Sequence, residues 1–122
     1  MVLELRSYKV EVERQIDTYV YSLHEGAIGS AWPEAKVTEK LARMRAALVE
    51  PYLIDVRLKD TVAQIEDAVS IIRRCVVLAD DGAGTRLVFD DDADEYMLAV
   101  VSGDAVESIG GRGDAVGCFL AI

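Results

Sequence analysis

Arg86-Leu-Val-Phe-Asp90-Asp-Asp-Ala-Asp-Glu95-Tyr-Met-Leu-Ala-Val-Val101 sets two apolar, β-favouring runs on either side of an acidic centre. Aromatic and β-branched residues suit a pleated, half-buried surface, and clustered Asp residues suit a turn. The stretch therefore predicts a β-hairpin, with strands Arg86–Asp90 and Glu95–Val101 joined by the acidic turn.

Beyond the hairpin, Ala105–Ile109 reads as a short strand and Gly110–Gly113 as a turn. Val116–Ile122 is apolar almost throughout, which predicts a buried terminal strand inside the sheet, because at an edge it would expose a costly apolar face. Before the hairpin, Val62, Ile65, Val69, Ile72 and Val76 make one helical stripe, widened by Ala68 and Cys75. Thr61 and Gln64 have the spacing of a capping box, so a helix over about 61–78 is expected, with Gly82 and Gly84 allowing the chain to leave it. The β-branched Val76 and Val77 leave open an earlier end and a short strand there.

Further upstream, Pro33 suits a first helical turn, and Val37, Leu41, Met44 and Leu48 share one face, predicting a helix over 33–49. Pro51 prevents its continuation, and Tyr52, Ile54, Val56 and Leu58 alternate as a strand over 52–58. Tyr8, Val10 and Val12 alternate with Lys9, Glu11 and Glu13, so residues 2–12 read as a strand. Residues 16–23 fit either period and are taken as its hairpin partner, followed by a loop from His24 to Ser30 with Gly26 and Gly29. The expected fold class is α+β: two helices packed on a mostly antiparallel sheet of five to seven strands. The 122 residues fit a single globular domain, 1–122, large enough to bury a core without a disulfide framework or a metal.

Charge is the most informative feature for function. The net charge is −9, yet residues 1–79 are nearly balanced, whereas residues 80–95 hold seven acids against Arg86 alone. Such a distribution disfavours a nucleic-acid backbone and an anionic membrane surface, both of which need basic residues. It favours a basic partner steered by Asp80, Asp81, Asp90, Asp91, Asp92, Asp94 and Glu95. No apolar run approaches the roughly 20 residues of a membrane span, and Glu4 stands where a signal peptide would be basic, so a cytoplasmic protein is expected.

Chemical motifs are sparse. Asp90, Asp92 and Asp94 have the one-three-five spacing of a calcium loop, but Glu95 and Val101 replace its glycine and bidentate glutamate, so no metal is expected. Gly110–Gly117 is glycine-rich and could cradle an anion through backbone N–H groups beside Arg112, Gly113 and Asp114. It lacks the features of a dinucleotide or phosphate-binding loop. Cys75 and Cys118 sit in apolar company and read as buried thiols, and His24 is the single histidine. Trp32 and the five tyrosines read as core residues more readily than as interface anchors.

No catalytic constellation emerges, and no cofactor is expected. The expectation is a non-catalytic protein-binding module, acidic and small in the general character of bacterial immunity proteins and antitoxins, which occlude a basic partner such as a toxin. The alternative is a small-ligand-binding or enzymatic domain built on the turn 110–117. Self-association is compatible with both.

Overall fold

Alternation along the strands builds a barrel with two distinct faces. The computed structural model describes residues 2–21, 32–66 and 70–122. Its strands are β1 (Leu48–Arg57), β2 (Ile72–Asp80), β3 (Thr85–Asp90), β4 (Glu95–Ser102) and β5 (Ala105–Gly113). Consecutive strands pair antiparallel in chain order, and a single parallel contact, Arg57 opposite Glu107, closes the sheet into a barrel. Register shifts in the β1–β2, β2–β3 and β4–β5 pairings add the local bending that closure of only five strands requires.

Inside the barrel, Val56, Leu58, Cys75, Val77, Val88, Met97 and Ala99 form one core. The alternate residues Val76, Leu78, Leu87, Phe89, Tyr96 and Leu98 point outward into a second core. That core is shared with α1 (Val2–Thr18), α2 (Glu34–Ala47) and α4 (Ala115–Leu120). Val12 and Ile16 of α1, Met44 of α2, and Ala115, Val116, Cys118, Phe119 and Leu120 of α4 are its buried helical contributions. Burying a Val, Ile, Leu, Phe or Met side chain contributes about 1.5–3 kcal/mol each, so the helices are held chiefly by this contact with the sheet. The fourth helix, α3 (Val62–Ile65), is a single turn held by the Thr61–Gln64 capping box.

The α+β class stands, while the arrangement differs from an open sheet under two helices. Residues 2–12 are helical, not extended, and α1 continues to Thr18. Leu5, Tyr8, Val12 and Ile16 lie three and four apart and pack inward, whereas Val10, which completed the alternation, is 59% exposed. The expected hairpin partner 16–23 is thus helical as far as Thr18, and the rest of it, beyond Tyr21, falls with the His24–Ser30 loop outside the described residues.

Of the helix expected over 61–78, the described residues form only Val62–Ile65, and Ile72–Asp80 is strand β2, which takes in the short strand left open at Val76 and Val77. Buried on both faces, β2 carries an unbroken apolar run, which periodicity alone cannot separate from a helix. The terminal strand Val116–Ile122 is instead α4, started by Asp114, whose side chain accepts a hydrogen bond from the Gly117 N–H. A Cβ at Gly117 would stand 2.7 Å from Asp114 Oδ1, so a larger residue there would make the capping carboxylate shift. Gly110–Gly113, expected as a turn, continues β5. The helix over 33–49 and the strand over 52–58 are α2 and β1, with the strand beginning four residues earlier, at Leu48.

Candidate functional site: an acidic turn seated on an ion-pair plug

The hairpin at the centre of the sequence forms in uniform register, from Thr85 opposite Val100 to Asp90 opposite Glu95. Strand alternation then dictates where Asp90 goes. It has the parity of Val88, so its carboxylate enters the barrel, and it is fully buried. Arg73 lies opposite the inward Val56, and Arg112 opposite the inward Met97, so both guanidinium groups enter the same mouth. Each donates to Asp90 Oδ2 at 2.9 Å. Arg112 also donates to Asp60 Oδ2 at 2.7 Å, and Arg73 lies 3.5 Å from Asp92. Asp90 and the two guanidinium groups plug one end of the barrel, with Asp60 and the exposed Asp92 paired to them.

The electrostatics follow from this geometry. Burial alone would raise the Asp90 carboxyl, but hydrogen bonds from Arg112 and Arg73 outweigh it and hold it below its ordinary value. The Arg112 guanidinium is raised, chiefly by its hydrogen bond to Asp60, with burial opposing and Asp90 assisting. An unpaired charge here would be costly, whereas the paired set fixes the root of the turn above it.

The turn itself, residues 91–94, is exposed. Asp91 accepts a 2.9 Å hydrogen bond from the Tyr8 hydroxyl, tying the turn to α1. The side chain of Asp92 is 78% exposed even with Arg73 beside it. Asp94 has φ of 56°, in the left-handed region that Asp tolerates better than most residues, and Glu95 is half-buried at the start of β4. The one-three-five spacing does not converge on a cation site, because Asp90 and Asp92 turn to arginines. Among the described residues no group of His, Cys, Asp and Glu is arranged to hold a metal ion.

Asp80 and Asp81 lie elsewhere, at the opposite end of β3. Asp80 Oδ1 accepts from the Gly82 N–H, and Asp81 Oδ1 accepts from the N–H groups of Ala83 and Thr85. These bonds shape a loop in which Gly82 and Gly84 take positive φ. Asp80 and Asp81 border a cavity of about 400 Å³ whose other wall carries Lys40 and Arg43 of α2. The seven acids of residues 80–95 are therefore two groups separated by the length of β3, and one member is internal.

The glycine-rich segment does not leave a free cation either. Arg112 is bound to two carboxylates, Gly113 ends β5 and Asp114 caps α4. A cavity of about 290 Å³ lies beside them, with Leu98, Cys118 and Ala121 among its walls. Both thiols are buried, and desolvation pushes Cys75 and Cys118 up to about 11, far from a nucleophilic thiolate. His24 lies outside the described residues. Trp32 stacks on Tyr21 at 5.6 Å, with Lys36 Nζ 4.4 Å from its ring centroid.

Sequence reasoning missed Arg73, Asp60 and Tyr8 as partners of the acidic run. The signal for Arg73 was present: two residues before the inward Cys75, it shares that face once the segment is read as a strand. Asp60 joins the cluster through Arg112, and Tyr8 reaches the turn through Asp91, only by virtue of the fold.

No family model, curated protein or solved structure matches this chain. None of the described helices is long and apolar enough to cross a membrane.

Proposed function

We propose that the protein is a non-catalytic binding module that takes a basic protein partner on the β3–β4 turn, in the manner of an acidic immunity protein or antitoxin. The observation that carries this reading is the exposure of Asp91, Asp92 and Asp94 on a turn whose root is the buried Asp90 bound by the half-buried Arg73 and Arg112. Carboxylates held in place before encounter lose less conformational entropy on binding, and exposed charge accelerates association with an oppositely charged surface. The raised, buried thiols and the arginine-bound Asp90 and Asp92 support a binding role over a nucleophilic or acid–base one. Two free cysteines fit a reducing compartment, so the reading places the protein in the cytoplasm.

The test is co-precipitation of the tagged full chain from its native lysate at low salt, beside the variant Asp91→Asn/Asp92→Asn/Asp94→Asn. The expected result is one stoichiometric basic protein that salt elutes and the triple variant fails to retain. Equal retention by the triple variant, or a captured protein without net positive charge, overturns the reading.

A further inference from the structure

Strand β1 carries apolar residues that the two cores leave uncovered: Tyr52 is 38% exposed and Leu53 43% exposed. Leu53 pairs with Val76 on β2, and together with Leu5 and Tyr8 of α1 they line a groove of about 300 Å³. One end of that groove is the acidic turn, through Asp91 and Asp92. The Tyr8 hydroxyl engages one carboxylate oxygen of Asp91 and holds it at the groove's rim. Arg74 also reaches the rim, but it is bound across the strands to Asp55 at 3.1 Å. The rim is therefore anionic where it meets the turn, over an aliphatic and aromatic floor.

An apolar floor ending in two carboxylates complements one kind of side chain, a long aliphatic stem with a cationic head. Lysine and arginine bury their stems along apolar surfaces while the charge remains at a polar rim, and a Tyr face adds cation–π attraction. A purely apolar residue would leave Asp91 without a counter-charge and Asp92 with only its 3.5 Å contact to Arg73, and an acidic one would be repelled. We infer that this groove is the anchor pocket of the interface proposed above, taking one lysine or arginine side chain of the protein partner. Its stem lies on Leu5, Leu53 and Val76, and its head between Asp91 and Asp92. The inference rests on the acidic-turn reading and adds to it the subsite and the side-chain class.

Two variants with the same charge change test it. Leu53→Lys delivers the chain's own cation into the groove, whereas Val101→Lys puts one on a 45% exposed position at the far end of β4 from the turn. The probes are the N-acetyl amides of lysine and of norleucine, titrated into the ¹⁵N-labelled full chain and followed by amide shifts. The expected result is saturable shifts for the lysine probe confined to Leu5, Tyr8, Leu53, Val76, Asp91 and Asp92. They should weaken roughly tenfold in Leu53→Lys and less than about twofold in Val101→Lys. The norleucine probe should produce none. Shifts shared equally with the 80–84 loop, or unchanged in Leu53→Lys, overturn the groove. The co-precipitation separates the two levels. A partner that depends on Asp91, Asp92 and Asp94 but is retained by Leu53→Lys removes the groove and leaves the acidic face. Retention by both the triple variant and Leu53→Lys removes the acidic face as well.

Discussion

Both ends of β3 carry acidic side chains and put them to different use. At the 80–84 end, Asp80 and Asp81 accept hydrogen bonds from their own loop's N–H groups, and Lys40 and Arg43 face them across a cavity. At the 90–95 end, one carboxylate goes inward to two arginines while Asp91, Asp92 and Asp94 remain at the surface. The first end uses its acids to make a loop. The second uses one acid to anchor a turn and presents the rest. Charge counted along a chain is thus not charge available to a partner, and backbone parity decides which is which.

The contrast breaks most readily at Asp90. Asp90→Asn keeps the shape and removes the charge, leaving Arg73 and Arg112 poorly compensated. The expected cost is about 3 kcal/mol, or roughly a 10 °C fall in Tm for a domain of this size, read by thermal and urea unfolding. A cost below about 1 kcal/mol would show that the plug is solvated like a surface ion pair.

Acidification sharpens the same point without mutation. The Asp90 carboxyl lies below its ordinary value in the folded state. The stability it contributes is therefore full above the unfolded value of about 4 and is lost as pH falls through the lower folded value. Stability of the wild type should decline below about pH 4, and Asp90→Asn should show a shallower decline in that window. Identical slopes in the two proteins would assign acid sensitivity to other carboxylates.

At the other end, Asp81→Ala removes the acceptor for the Ala83 and Thr85 N–H groups. About 1 kcal/mol of destabilisation is expected, with backbone amide exchange accelerated at 81–85 and unchanged at 90–95. A loss as large as that at Asp90 would erase the distinction between loop-forming and buried acids. The smallest effect belongs to Asp94→Gly, because the positive φ at Asp94 is easier for glycine than for other residues. Asp94→Gly should match the wild type within about 1 kcal/mol, and Asp94→Val should lose about 1–2 kcal/mol, measured by urea denaturation.

How far the sequence could be read depends on how many faces each segment buries. The hairpin 86–101 was legible because apolar runs bracket an unmistakable turn, and α2 because its stripe has a polar opposite face. Segment 72–80 and segment 115–120 are apolar on nearly all sides, so neither a period of two nor one of 3.6 dominates, and strand and helix exchanged places there. Residues 2–18 carried both periods, and burial of Leu5, Tyr8, Val12 and Ile16 against the barrel selected the helix. The candidate site was legible as an acidic run and no further, since its arginines come from two other strands.

By itself the sequence determined the α+β class, the central hairpin, α2, β1, the two buried thiols and the concentration of negative charge in residues 80–95. These rest on local patterning and composition, which act over a few residues. The tertiary structure decided the barrel's closure, the helix at each end of the described chain and the division of the acids into internal, loop-forming and exposed. Those outcomes depend on which residues, distant in sequence, share a face or a barrel mouth, and only pairing across strands fixes that.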